Sequence, residues 1–377
     1  MSLVVDEHRE YLADAARLGA YRRALNAVVT PGSVGLDLAS GTGILGLLAC
    51  QAGAARIYAL ESNDIAGLAE RLAAENGFGD RIITIQEWST RAKLPERVDF
   101  IVTDLAGRFG FEVGLLELVD DARKRFLKPG GVLIPSSVTL FIAPVTCAEA
   151  RGHVDFWTQP LHGLSFAAAH EIAQSTGYPR HLTTSDLLAA PATLASANLC
   201  ETTTTLSGRA EFTIERASRL DGLGGWFSAT LAPGVELTNA PGHPSRINRR
   251  NVFFPLQDVV DVERGDGVSV SMFIRPELLV VRWHVEIRHN NELIHTTDTS
   301  TFSGMLLSPQ SKARTQPEFR PTLSAAGQAR RTVVNMCDGG HSVAEIEREV
   351  LKRHADVVRS EAEAAVFVAE VVTRYAR

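Results

Sequence analysis

Residues 34–46 read VGLDLASGTGILG, and the run that follows, ARIYALES at 55–62, carries Glu61 at the end of its apolar stretch. A strand ending in Asp37, a tight turn with Gly41 and Gly43, and a helix from Ile44 put bare backbone N–H groups beside a bound ligand, with small residues allowing close approach. Gly41-Thr42-Gly43 lacks the third glycine of GxGxxG unless Gly46 is counted, and no Gly-Lys-Ser/Thr follows, so the turn does not read as a phosphate cradle. Glu61, at the end of the next strand, is suited to accept hydrogen bonds from two ribose hydroxyls. Turn and acid together leave NAD and S-adenosylmethionine (SAM) both open.

Outward from this turn, the first 145 residues alternate β-branched runs (RIITIQE, VDFIVTD, GVLIPSSVTLFIAPV) with alanine- and leucine-rich helical stretches. That rhythm predicts an α/β fold with a doubly wound, Rossmann-like parallel sheet over 1–145. From about Cys200 short alternating strands such as AEFTIE, GWFSATL and VSVSMFI, punctuated by Gly, Pro, Asn and Asp, predict an antiparallel β-barrel for substrate and dimerisation over 146–308. After the Ser/Pro/Lys-bearing linker SGMLLSPQSKARTQPEFRP, residues 319–377 read as a small helical domain.

Composition narrows the function classes. A net charge of −6 gives no global attraction to nucleic acid. The four cysteines stand apart with no CxxC pair, so neither a disulfide framework nor a metal cluster is expected. No apolar stretch approaches the roughly 18 residues of a membrane span, and the N-terminus lacks a signal pattern. The expectation is a cytoplasmic enzyme without metal, nucleic-acid or membrane partners.

LDLASGTGILGLLACQAGAARIYALES, VDFIVTDLAG and ARKRFLKPGGVLIPSSVTLFIAPV together resemble the SAM-binding core of protein arginine methyltransferases, a resemblance covering residues 5–145. It extends upstream, where EHREYLADAARLGAYRRAL matches the family's helix over the cofactor, with His8, Asp14 and Arg17 at its spacing. The resemblance implies that Arg17 pairs with the methionine carboxylate of SAM, that Ala39, Gly41 and Gly43 line its backbone, and that Glu61 holds the ribose. His8, Asp37 and Ser62 belong to the same cofactor set, and Trp88 lies near the adenine pocket, where its ring can stack. S-adenosylhomocysteine is the product this implies. The segment between HEIAQSTG and ASANL takes the place of the family's dimerisation arm, and its apolar DLLAAPATLA is expected to need a partner surface in a homodimer.

Departures fall where the acceptor should sit. The family uses two glutamates on a hairpin loop. Here the first position is Asp104, and counting back from ARKRFLKPGG puts Val113 at the second, with Glu112 one residue off and Glu117 farther along; a one-residue loop deletion restores Glu112 to the pocket. Arg246, Ile247 and Asn248 replace the family's Thr-His-Trp loop. A guanidinium, with a pKa above about 12, needs two carboxylates to orient it and localise its charge, whereas an amine with a pKa near 8 needs one. With Asp104 and Glu112 as the catalytic candidates, the site tilts toward an amine.

The tail, with CDGGHSVAEIEREV at 337–350, resembles the helical half of the peptide-chaperone domain of pyrroloquinoline quinone biosynthesis, which binds leader peptides of ribosomally made natural products (RiPPs). Ser342 stands at a helix N-cap with Glu345 three residues on. Together these features read as a SAM-dependent N-methyltransferase for an amine of a peptide or small molecule, as in daptide-type RiPP pathways, with a leader peptide as further partner. The alternatives are methylation of an arginine guanidine, free or in protein, and a non-catalytic SAM-binding regulatory partner.

Overall fold

The computed structural model describes residues 4–203, 205–306, 314 and 318–376. It divides into two compact units, 1–305 and 306–377.

In the first unit, helices α1 (Val4–Ala13) and α2 (Ala15–Val28) precede five parallel strands: β1 (Val34–Leu38), β2 (Arg56–Glu61), β3 (Ile82–Gln86), β4 (Val98–Val102) and β5 (Leu127–Ile134). The strands are ordered β3-β2-β1-β4-β5. Between them run α3 (Ile44–Gln51), α4 (Ala66–Glu75) and α5 (Leu115–Phe126). The chain builds β1 to β3 outward on one side and then crosses over to β4, so the topology reverses between β1 and β4. In such sheets ligands bind outside the carboxyl ends of the strands at this reversal. In α2, Arg17, Ala20, Tyr21, Ala24 and Leu25 are buried. Their i, i+3, i+4 spacing is one helical stripe, and Asp14 caps the helix by accepting the Arg17 N–H at 3.0 Å.

The parallel sheet stops at Ile134. β6 (Ser137–Val145), which the periodicity groups with the α/β part, instead joins a six-stranded antiparallel sheet. Its order is β7 (Tyr178–Arg180), β12 (Asn251–Val262), β10 (Ser218–Ala232), β6 and β8 (Ala192–Asn198), with β11 (Val235–Thr238) on β10. β9 (Leu206–Thr213), β13 (Gly267–Arg275), β14 (Val280–His289) and β15 (Glu292–Ser300) form a second antiparallel sheet of four strands. A short apolar run reads alike in either sheet, and only its partner distinguishes the two.

DLLAAPATLA does not need a partner surface. Leu188, Ala189 and Leu194 of DLLAAPATLA are buried within the chain's own core. The exposed apolar residues lie earlier, around α6 (Ala148–Asp155) and α7 (Ala168–Gln174), where Phe156, Leu164 and Phe166 face outward.

Most of the linker, 307–313 and 315–317, lies outside the described residues. In the second unit α8 (Ala325–Met336), α9 (Val343–Arg353) and α10 (Glu361–Tyr375) enclose Val333, Ile346, Val350, Val358, Ala364, Val368 and Val371. The capping box is formed: Ser342 N–H donates to Glu345 Oε2 at 2.7 Å. No described helix is long and apolar enough to cross a membrane.

Candidate active site

Polar residues converge at the carboxyl edge of β1, β2 and β4. After Leu38 the backbone turns through positive φ at Ala39 (57°), Gly41 (54°) and Gly43 (76°), a region that glycine enters without steric cost. A Cβ on Gly41 would lie 2.6 Å from His8 Cε1, so the His8 ring of α1 rests against the turn's bare backbone. Glu61, buried at the end of β2, accepts the Gly41 N–H through Oε2 at 2.9 Å and the Asn63 N–H through Oε1 at 2.9 Å. Its carboxylate therefore organises the turn from the neighbouring strand. Ser62 is half-buried in the bend that follows, and the Trp88 ring, just past β3, is 60% exposed.

Asp37 is fully buried and accepts the Gly46 N–H at 2.8 Å. Burial pushes its carboxyl up to about 7, against the downward pull of that N–H and of the Arg17 charge. Its Oδ1, and the neighbouring Ser40 Oγ, are buried without a hydrogen-bond partner. Buried acceptors are normally paired, so unpaired ones beside a left-handed glycine cradle and a buried acid fit a ligand that brings ammonium and hydroxyl donors, as SAM does. Among the described residues no cluster of His, Cys, Asp and Glu could hold a metal ion.

Asp104 lies two residues past β4, on the loop that enters α5. Its side chain is 11% exposed. Oδ2 accepts both the Arg17 Nε–H at 2.5 Å and an Arg249 Nη2–H at 2.9 Å. The Tyr21 hydroxyl lies 2.8 Å from the Thr103 carbonyl and 3.1 Å from Asp104 Oδ1. Burial resists ionisation of Asp104, but the two guanidiniums outweigh it and hold the carboxyl below its ordinary value. The resemblance gives Arg17 a carboxylate on the cofactor; in this structure the carboxylate it holds is Asp104.

Glu112 closes its own loop. Its carboxylate accepts the backbone N–H groups of Phe109 at 2.8 Å and Arg108 at 3.1 Å. A Cβ on Gly107 would fall 2.2 Å from Glu112 Oε2, so this fold of the loop requires glycine there. Burial lifts the Glu112 carboxyl above its usual range, with the backbone N–H groups opposing it. Val113, the alternative by counting, is half-exposed; the loop is folded around Glu112. Phe109 and Phe111 are buried, and the Phe109 ring packs at a tilt against Phe254 of β12, with centroids 5.5 Å apart. A Cβ on Gly225 of β10 would sit 2.7 Å from the Phe109 ring. Each buried phenylalanine contributes roughly 1.5–3 kcal/mol, which anchors the acid loop on the antiparallel sheet.

Sequence reasoning missed two residues here. Tyr21 lies one helical turn after Arg17 on the same buried stripe, and that spacing was the available signal. Arg249 had none: NRR at 248–250 is too short a basic run to interpret. It reaches Asp104 because neighbouring residues fix its segment. Asn239 donates to the Arg250 carbonyl at 3.0 Å and to the Arg108 carbonyl at 2.8 Å. Asp14 Oδ2 accepts the Asn248 N–H at 2.7 Å. Of the replaced loop, Arg246 donates to the Leu182 carbonyl at 2.8 Å, Ile247 is buried, and Asn248 is exposed.

Residues 136–290 match the family described as the arginine methyltransferase oligomerization subdomain, and residues 22–140 match ribosomal protein L11 methyltransferase (PrmA). The fold is shared with the Trypanosoma brucei PRMT1 enzyme-prozyme heterotetrameric complex with AdoHcy, at a TM-score of 0.72 and 21% identity over 78% of this chain and 97% of that one. Protein arginine N-methyltransferase 6 of Xenopus tropicalis is 31% identical over 288 residues, 72% of this chain and 84% of the relative. With the Xenopus laevis protein of the same name 30% identical over 288 residues and the same shares of both chains, this chain belongs to the protein arginine N-methyltransferase family of SAM-dependent methyltransferases.

Proposed function

We propose that this enzyme methylates an amine nitrogen, with Asp104 orienting the acceptor. The observation that carries this reading is the Asp104–Arg249 pair: the carboxylate at the first of the two acid positions is already matched by a fixed guanidinium, and Glu112 hydrogen-bonds its own loop. A second guanidinium would find no unmatched charge there. The names of the relatives speak for the other acceptor. The two Xenopus relatives are named protein arginine N-methyltransferases, and kinship supports arginine guanidine methylation better than it supports a peptide natural product; that is the second reading.

Arg17, Asp37, the Ala39–Gly43 turn, Glu61 and Ser62 would hold SAM, with His8 over the turn and Trp88 at the adenine end. When bound, SAM would supply an electrophilic methyl group, the nitrogen lone pair forming the N–C bond as the S–C electron pair returns to sulfur, with the surplus proton of the alkylated nitrogen passing to water. The chain's own contribution is alignment. A loop anchored by Phe109 and Phe111 holds Asp104, whose lowered pKa suits it to accept an N–H hydrogen bond rather than to store a proton.

The exposed Phe156, Leu164 and Phe166 support a homodimer formed through the α6–α7 segment. For the tail, a leader-peptide site is supported by its sequence resemblance alone.

Incubation with SAM and two peptide acceptors, one offering only an α-amine and one only a guanidine, with mass spectrometry of the products, tests the acceptor. Gain of a methyl group by the amine peptide is expected, with a rate that rises with pH to roughly 8 as the amine deprotonates. Robust methylation of the guanidine peptide alone promotes the second reading.

A further inference from the structure

We propose that Arg249 is the specificity-determining residue of the acceptor site, excluding cationic acceptors and admitting neutral ones. The inference rests on the reading that Asp104 faces the acceptor nitrogen.

Arg249 is held on three sides. Nη2 donates to Asp104 Oδ2 at 2.9 Å, Nη1 donates to the Gly107 carbonyl at 3.2 Å, and the guanidinium lies 5.8 Å from the Tyr11 ring centroid. Its side chain is 11% exposed. Withdrawing it would take from the buried Asp104 one of its two guanidinium partners and from the largely buried Arg249 its counter-charge, which is costly, so Arg249 is a fixed part of the wall rather than a solvated side chain that a substrate could push aside.

The charges then decide. Asp104 contributes one negative charge and Arg249 cancels it. Arg17 adds a positive charge, which a carboxylate on the cofactor would answer. Glu112 has its charge engaged by the amides of its own loop. Tyr21 is a neutral hydroxyl whose ionisation is suppressed by burial and by Asp104. A guanidinium, charged at every accessible pH, would enter a site with no net attraction and with a like charge fixed on the Asp104 oxygen it needs. Like-charge juxtaposition of this kind costs several kcal/mol. A free-base amine brings no charge, and its N–H can use a remaining lone pair of Asp104. Arg249 thus acts as a built-in repulsive element against one substrate class.

The test uses the full chain with S-adenosylhomocysteine present and two probes: glycyl-glycyl-glycinamide, which offers only an α-amine, and N-acetyl-glycyl-arginyl-glycinamide, which offers only a guanidine. Calorimetry gives binding, and single-turnover assays with SAM give rates. In the unaltered enzyme the amine probe is favoured. Arg249→Gln should shift the amine-to-guanidine ratio toward guanidine by about tenfold or more, in binding as well as rate, while Arg249→Lys, which keeps the charge and loses the fork, should hold the ratio near its original value. A purely structural role would weaken both probes alike in both variants. An unchanged ratio in Arg249→Gln overturns the proposal even if the amine probe is methylated; so does failure of both probes to bind any of the three proteins. Methylation of the guanidine probe by the unaltered enzyme overturns the proposal and the amine reading together, whereas an unchanged ratio with a methylated amine probe leaves the amine reading standing.

Discussion

One carboxylate of Asp14 joins two distant parts of the chain: Oδ1 caps α2 through the Arg17 N–H at 3.0 Å, and Oδ2 accepts the Asn248 N–H at 2.7 Å. The cap sets the start of the helix that carries Arg17 and Tyr21, and the second bond holds the segment that carries Arg249. Asp14→Ala should cost about 1 kcal/mol or more, read as a lower urea midpoint, and Asp14→Asn should recover the cap but not the bond to Asn248. An unchanged midpoint in the alanine variant would refute the coupling.

For the cofactor, calorimetry with S-adenosylhomocysteine should show Glu61→Ala and Arg17→Ala each losing a charge-assisted bond worth roughly 1.5–3 kcal/mol. Glu61→Ala carries a further effect, because Gly41 N–H loses its partner and the turn loosens. Undiminished affinity in both variants would remove this cleft as the cofactor site.

Asp37 gives stability a definite pH dependence. Its carboxyl is pushed up to about 7 by burial in the folded state, whereas an unfolded aspartate titrates near 4. Between those values the native chain holds a proton that the unfolded chain has released, so stability falls as pH rises through that window. The total is on the order of 4 kcal/mol, from about 1.4 kcal/mol per pH unit. Asp37→Asn removes this slope and should be relatively more stable at pH 8 than at pH 5. Parallel stability curves for the two proteins between those pH values would contradict the assignment.

Replacing Asp104 by Asn deprives Arg249 and Arg17 of their shared counter-charge. Breaking a buried pair from one side costs about 3–5 kcal/mol, so the melting temperature should drop, and combining the change with Arg249→Gln should recover part of the loss. Turnover should fall on the order of 10²-fold, because the acceptor N–H loses the charged partner that aligns it, while affinity for S-adenosylhomocysteine is retained because Arg17 is released rather than lost. Full activity in Asp104→Asn would exclude a role for this acid in the chemistry.

On assembly, Phe156→Glu places a charge within the exposed apolar surface of the α6–α7 segment. A homodimer at micromolar concentration by light scattering, converted to monomer by this change without loss of melting temperature, is the expected result. A monomeric unaltered chain would refute the dimer.

The sequence by itself determined the glycine turn and the acids that surround it. Asp37, Ala39, Gly41, Gly43 and Glu61 lie within one strand–turn–helix–strand unit, where backbone conformation and residue size are local properties, so their convergence follows from chain order alone. The same holds for the capping box at Ser342 and Glu345. The surroundings of Asp104 were decided by tertiary structure. Arg249 meets Asp104 across 145 residues; Glu112 rather than Val113 fills the loop because Gly107 leaves room and Phe109 fixes the register; β6 joins the antiparallel sheet because β8 and β10 pair with it. None of these contacts has a periodic or compositional signature. A buried ion pair depends on which surfaces are brought together, and a stretch of sequence carries no record of the surface that will face it.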